Sequence, residues 1–242
     1  MQCQGKVALV TGAAGSGMGR SIALTLAREG ASVVVNYLTS KAAAEAIVAH
    51  IEAQGGSAIA VQADICKQDD CKRLVDTALT RYGQVDICIV GPGAGWNAEP
   101  IDQLDPANAL DDLHREVAPL YYLMPLVLPS MTERHWGRIV AIGINPTKPS
   151  PALSYNASKA ARAQTLLMTE KTTWKQGVTV NMVGPAPVAG IESLEKAVEL
   201  CVHGSAWQER SSVTPQDIAE GVAFLCSVAG RYVTGCMLPY SF

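Results

Sequence analysis

The 242-residue sequence carries no excess of basic charge, no long apolar run, no cysteine pairing pattern and no low-complexity segment. Its 19 Lys and Arg against 22 Asp and Glu give a net charge of −3 and a pI near 5.8. That balance argues against a nucleic-acid or anionic-membrane partner. The longest apolar stretch, residues 120–128, contains Pro125 and is too short to cross a bilayer. The seven cysteines (3, 66, 71, 88, 201, 226 and 236) form no C-x-x-C and no metal-ligand spacing. They read as reduced thiols of a cytoplasmic protein, and no metal is expected. With a first strand beginning by Lys6, no signal peptide is expected. No linker or repeat divides the chain, so residues 1–242 are expected to form one domain. A composition 48% hydrophobic and 17% charged suits a single large core.

What the sequence does contain is organised around Thr11–Gly19, TGAAGSGMG. Before it, Lys6-Val7-Ala8-Leu9-Val10 reads as a short buried strand; after it, apolar residues at 18, 22 and 26 fall at helical spacing. Strand, glycine turn and helix is the context in which glycines let a backbone approach a pyrophosphate at the helix N-terminus. The pattern then repeats. Strands are predicted over 32–37, 58–63, 85–90, 138–142 and 178–183, with a short last one near Met237. Helices are predicted over 40–54, 67–82, 109–133, 154–176, 193–203 and 215–227, the last opening on Thr214-Pro215. Continuous apolar strands alternating with helices imply an α/β protein with a three-layer, doubly wound parallel sheet, the Rossmann arrangement. Ligands bind such sheets beyond the strands' carboxyl ends, where the strand order reverses. The glycine turn, Asp64, Gly91–Gly93, residues 143–149 and residues 184–187 should therefore converge.

With these pieces in place, the sequence resembles the short-chain dehydrogenase/reductase family, of the 3-oxoacyl-carrier-protein-reductase kind, over essentially its whole length. The matching segments are TGAAGSGMG, Asp64-Ile65, Gly137-Arg138-Ile139-Val140, Tyr155-Asn156-Ala157-Ser158-Lys159, Val180-Asn181 with Pro185, Thr214–Ser227 and Tyr232–Gly235. The resemblance implies NAD(P)(H) binding, reversible oxidoreduction between a carbonyl and a secondary alcohol on a small-molecule substrate, and self-association. The self-association would be a homotetramer or dimer through helices 109–133 and 154–176. Tyr155 is the expected acid/base and Lys159 its assistant. A phenol can give a proton to the oxygen of a ketone as hydride arrives at carbon. An adjacent ammonium lowers the phenol from its ordinary value near ~10. Residues 155 and 159 are one helical turn apart and share a face. The expected cofactor contacts are Gly12, Gly15, Ser16, Gly17, Met18, Gly19, Asn36, Tyr37, Ser40, Asp64, Ile65, Gly91, Gly93, Tyr155, Lys159, Pro185 and Val188.

The sequence departs from the family at several positions. Ile144 stands where a serine usually binds the substrate carbonyl; Asn145, Thr147 and Ser150 are the nearby polar side chains, while Ser154 should point elsewhere. The usual helix asparagine is matched to Ala118, in Val117-Ala118-Pro119, and Pro119 is a candidate for a kink. The turn after the fourth strand reads Gly91-Pro92-Gly93, Ala186 replaces a glycine after Pro185, and the glycine turn holds one extra residue. Between Ser32 and Ala44 there is no acid to hold ribose hydroxyls, whereas Ser40 and Lys41 can meet a 2′-phosphate, so NADP(H) is favoured over NAD(H). A lost carbonyl-stabilising donor costs on the order of 10²–10³ in rate. Two functional readings therefore stand: an NADP(H)-dependent carbonyl reductase using Tyr155 and Lys159, and a catalytically impaired homologue acting as a nucleotide-binding or scaffold protein. Lys159 and the retained glycines argue against a halohydrin-dehalogenase-like lyase. Trp96, Val188, Ile191 and Trp207 are possible pocket walls; His114 and His135 are not expected to act in catalysis.

Overall fold

Seven strands form one parallel sheet in the order β3-β2-β1-β4-β5-β6-β7. The computed structural model describes residues 1–145, 151–206 and 211–240. The strands are β1 (Val7–Val10), β2 (Ser32–Tyr37), β3 (Ala58–Gln62), β4 (Ile87–Val90), β5 (Gly137–Ile142), β6 (Val178–Gly184) and β7 (Met237–Pro239). Between and after them run helices α1 (Met18–Arg28), α2 (Lys41–Ala53), α3 (Gln68–Tyr82), α4 (Pro106–Glu133), α5 (Leu153–Thr173), α6 (Leu194–His203) and α7 (Pro215–Cys226).

The apolar strands are buried on both faces, and alternate residues serve opposite cores. Ala8 and Val10 pack with Ile22, Leu26, Ile47 and Val222 on the side of α1, α2 and α7. Leu9, between them, packs with Leu74, Leu123 and Leu166 on the side of α3, α4 and α5. A strand whose alternate side chains are all apolar can be covered on both sides, which is the condition for a parallel sheet. β1 pairs with β2 on one side and β4 on the other, so the strand order reverses there and a crevice opens beyond their carboxyl ends.

The helix boundaries follow local chemistry. α7 opens on a capping box, in which the Thr214 hydroxyl accepts from Asp217 N–H and the Asp217 carboxylate accepts from Thr214 N–H. α4 begins three residues earlier than predicted because the Asp105 carboxylate accepts the Ala107 N–H at 2.9 Å and Pro106 suits the first turn. α4 stays continuous through Pro119, Pro125 and Pro129. α5 ends at Thr173 and tightens into a 3₁₀ turn, Trp174–Gln176, closed by Gly177 at φ +78°. No described helix is long and apolar enough to cross a membrane.

Candidate active site

The turns after β1 and β4 are tied together at the reversal point. Thr11 Oγ1 donates to the Ile89 carbonyl at 3.0 Å and accepts the Gly91 N–H at 2.9 Å. Gly12 sits at φ +60°, where side chains are disfavoured, and a Cβ there would enter the Pro92 ring. A Cβ on Gly19 would strike the Gly12 carbonyl. Gly15, Ser16 and Gly17 are exposed, and nothing lies within 4 Å of a Cβ built on Gly17. Gly17 is the N-cap of α1 and makes no side-chain capping bond, so the first N–H groups of the helix have no partner within it. This open, glycine-lined cradle at a helix N-terminus fits a dinucleotide pyrophosphate. Met18, the first residue of α1, is half-buried. The segment after β6 lies against the turn, with Ile191 N–H donating to the Ser16 carbonyl at 3.1 Å and Arg20 Nη1 to the Glu192 carbonyl at 3.1 Å.

From the β4 turn, contacts lead directly to the Tyr155–Lys159 pair. Tyr155 is half-buried and Lys159 buried on one face of α5, with Nζ 5.4 Å from the Tyr155 ring centroid. Lys159 Nζ pairs at 2.9 Å with Oε1 of Glu116, a fully buried residue of α4. The other carboxylate oxygen takes Arg162 Nη1 at 2.8 Å, and Arg162 is also fully buried. Arg162 donates to the Pro92 carbonyl at 3.0 Å and to the Val90 carbonyl, while Ala94 N–H donates to Glu116 Oε1 at 2.8 Å. Two cations and one anion thus hold α4, α5 and the β4 turn in one interior network. Removing one partner of such a network strands a buried charge, typically at about 3–5 kcal/mol.

The network alters the acid–base picture drawn from spacing alone. The Tyr155 phenol is raised above its ordinary value, first by burial and then by the Glu116 charge, with Arg162 opposing. The Lys159 ammonium is lowered, first by burial and then by Arg162, with Glu116 opposing. With Nζ turned to Glu116, the expected lowering of Tyr155 by Lys159 gives way to a rise.

Several expected contacts also bond or pack within the protein. Asn36 is buried, and its side chain bonds the Gly12 N–H and the Ala63 carbonyl. Tyr37 is buried in the core against α1 and α2, and Ile65 in the core on the opposite face of the sheet. The Asp64 carboxylate accepts the Cys66 N–H at 3.0 Å and lies 3.6 Å from Lys67, which makes it a local turn former. Gly91 and Gly93 line the β4 turn, and Pro185 is buried with its carbonyl accepting Asn145 N–H at 3.0 Å. Val188 forms a bridge with Val213. Ser40 and Lys41 are exposed, and Ser40 makes no capping bond to α2.

Ile144 is half-buried and carries no donor, and Asn145, buried, turns its amide to the Tyr240 carbonyl at 3.1 Å. Thr147, Ser150 and Trp207 lie outside the described residues. Ser154 points away as expected, donating to Asp112 Oδ2 at 2.8 Å. Trp96 is exposed and Ile191 buried in the core. His114 and His135 are exposed, His135 just before the start of β5. All seven cysteines are free, and among the described residues no His, Cys, Asp and Glu group could hold a metal.

Sequence reasoning noted only a missing asparagine at Ala118 of α4 and missed Glu116 and Arg162. The signal was available in the spacing. Glu116 lies four and seven residues before the buried Leu120 and Leu123, and Arg162 lies between the buried Lys159 and Leu166. Both thus fall on the inward stripes of their helices.

A short chain dehydrogenase family model matches residues 6–199. The chain is 31% identical over its whole length to a 7alpha-hydroxysteroid dehydrogenase of Escherichia coli K12, covering 94% of that protein. It is 32% identical over 95% of its length to a 3-oxoacyl-[acyl-carrier-protein] reductase of Synechocystis, covering 93% of it. Its fold is similar to a 7 alpha-hydroxysteroid dehydrogenase complexed with NADH and 7-oxo glycochenodeoxycholic acid, with a TM-score of 0.85 at 30% identity over 99% of this chain and 94% of that one. It is also similar to a short chain dehydrogenase from Burkholderia cenocepacia J2315 in complex with NADP, with a TM-score of 0.83 at 30% identity over 100% and 98% of the two chains. The glycine-lined turn, the ordered sheet and these similarities together show that the chain belongs to the short-chain dehydrogenase family of oxidoreductases.

Proposed function

We propose that the protein is an NADP(H)-dependent oxidoreductase interconverting a carbonyl and a secondary alcohol, with Tyr155 as acid/base and Lys159 as its assistant. The observation that carries this reading is the half-buried Tyr155 one helical turn from the buried Lys159, linked through Glu116 and Arg162 to the β4 turn and so to the glycine turn. Gly12 and Gly15–Gly19 would hold the pyrophosphate. Ser40 and Lys41, exposed beyond β2, would meet a 2′-phosphate. The bound nicotinamide supplies the hydride. Tyr155, its phenol held above the ordinary value by burial and by Glu116, stays protonated at neutral pH and gives its proton to the carbonyl oxygen. The raised phenol suits the reduction direction near neutrality; oxidation, which needs the phenolate, gains as pH rises.

Ile144 contributes no hydrogen bond to the carbonyl, so turnover about 10²–10³ below that of an enzyme with the full donor set is expected. The same substitution supports the second reading, a nucleotide-binding or scaffold homologue. Exposed Leu110 and Tyr121 of α4 and Met168 of α5 support self-association through these helices, as a dimer or homotetramer in the cytoplasm. The test is fluorescence titration with NADPH and NADH, followed by turnover on a panel of ketones, 3-oxoacyl thioesters and quinones. Turnover that disappears in Tyr155→Phe while NADPH binding remains supports the reductase. NADPH binding without turnover on any substrate supports the scaffold.

A further inference from the structure

Three charged side chains meet behind the β4 turn. Glu116 and Arg162 are fully buried and Lys159 is 6% exposed. The carboxylate divides its oxygens between the two cations, Oε1 to Lys159 and Oε2 to Arg162. The two cations are not anchored alike. Arg162 also donates to the carbonyls of Val90 and Pro92, so it keeps its place without the carboxylate. Lys159 Nζ, among the described residues, pairs with Glu116. Tyr155 lies on the same face of α5, its ring 5.4 Å from that ammonium.

We propose that Glu116 and Arg162 are positioning residues for the reaction: Glu116 fixes the Lys159 ammonium, and the opposed charges of Glu116 and Arg162 set the proton affinity of Tyr155 and Lys159, and with it the working pH. The inference rests on the reading of Tyr155 as acid/base given above. A buried carboxylate raises the proton affinity of both neighbours and a buried guanidinium lowers it, because neither is screened by water. The directions at Tyr155 and Lys159 agree, with Glu116 raising and Arg162 lowering each. The other charges nearby are engaged elsewhere. Asp112 of α4 accepts from Ser154, Arg115 pairs with Asp111 at the surface, and Asp64, before α3, is held by the Cys66 N–H and Lys67. Cys66 is half-buried, its thiol raised by burial.

Two single variants and their combination test the pair. Glu116→Gln removes the anion, Arg162→Met removes the guanidinium, and Glu116→Gln/Arg162→Met removes both. The Tyr155 phenolate is read by ultraviolet difference titration of each variant against the same background carrying Tyr155→Phe, which needs no turnover. In parallel, the pH profile of kcat/KM is recorded for NADPH-dependent reduction of phenanthrenequinone. Glu116→Gln is expected to lower the phenol by on the order of one unit and Arg162→Met to raise it by a similar amount. The double variant should return near the starting value, and the kcat/KM profiles should move the same way. Singles that shift in the same direction, or do not shift, overturn the proposal. If Glu116→Gln does not fold, Arg162→Met and the double variant decide. A phenol lower by on the order of one unit in the double variant supports the pair, and equal values overturn it. A wild type that binds NADPH and reduces no carbonyl defeats the proposed reaction, and with it any role of the pair in catalysis. The titration then still reports whether the two charges oppose each other at Tyr155.

Discussion

Asn36 Oδ1 accepts the Gly12 N–H at 3.1 Å while Asn36 Nδ2 donates to the Ala63 carbonyl at 3.1 Å. One buried side chain at the end of β2 therefore joins the turns that follow β1 and β3. Gly12 is the residue of the glycine turn at positive φ, so this bond fixes the conformation on which the cradle depends. Asn36→Ala leaves the Gly12 N–H without its acceptor and is expected to cost about 1–3 kcal/mol. Thermal unfolding should shift down and the NADPH Kd should rise. An Asn36→Ala protein that melts with the wild type shows that the bond does not hold the turn.

Gly93 faces Glu116. A Cβ on residue 93 would collide with the carboxylate, which Lys159, Arg162 and Ala94 N–H hold in place. Gly95, two residues on, has nothing within 4 Å of an added Cβ. Gly93→Ala is expected to lose about 1–3 kcal/mol in denaturant unfolding, and Gly95→Ala to stay within about 0.5 kcal/mol of the wild type. Equal midpoints for the two variants contradict this. The comparison separates the steric demand of the carboxylate from the general effect of removing a glycine in this loop.

The layered fold was legible because its determinants are local. Six apolar runs of β-branched residues, glycines after the first and fourth, and Thr214-Pro215 before α7 each act within a few residues. The Tyr155–Lys159 pair was legible for the same reason, one helical turn of spacing. What decided the interior of the site was not local. Glu116 sits in Asp111-Asp112-Leu113-His114-Arg115-Glu116, a run that reads as a solvated face, and only the stripe from Glu116 through Leu120 and Leu123 turns it inward. Asn36 was expected among the cofactor contacts because it stands beside Tyr37 at the end of β2. Its burial depends on the turns after β1 and β3 closing over it, which no short pattern encodes.

Beyond β2, Ser40 and Lys41 are exposed at the start of α2, and Lys41 is 3.6 Å from Glu45 in a solvent-screened pair that holds it weakly. A 2′-phosphate would take a hydroxyl and an ammonium here, while the end of β2 offers no acid between residues 32 and 44 for a ribose hydroxyl. Ser40→Ala/Lys41→Ala is expected to raise the NADPH Kd about tenfold, equivalent to ~1.4 kcal/mol, with little change for NADH. Fluorescence titration of both nucleotides checks it. An equal loss for the two shows that these residues do not read the phosphate.

Arg28, at the end of α1, clamps α7 through both oxygens of Glu220, Nη1 to Oε1 at 2.8 Å and Nη2 to Oε2 at 2.9 Å, and also donates to the Cys201 carbonyl of α6 at 2.6 Å. The guanidinium holds the Glu220 carboxyl below its ordinary 4.5, assisted by Gln216 and opposed by burial. A carboxyl lowered in the folded state stabilises the fold above its unfolded value and ceases to do so as pH falls through the folded value. The wild type should therefore lose melting temperature more steeply than Glu220→Gln as the pH is taken down through and below 4.5. The Glu220 side chain is 48% exposed, so solvent screening keeps the difference small and added salt should shrink it further. Parallel melting curves across that range at low salt would show that Arg28 does not hold α7 by charge.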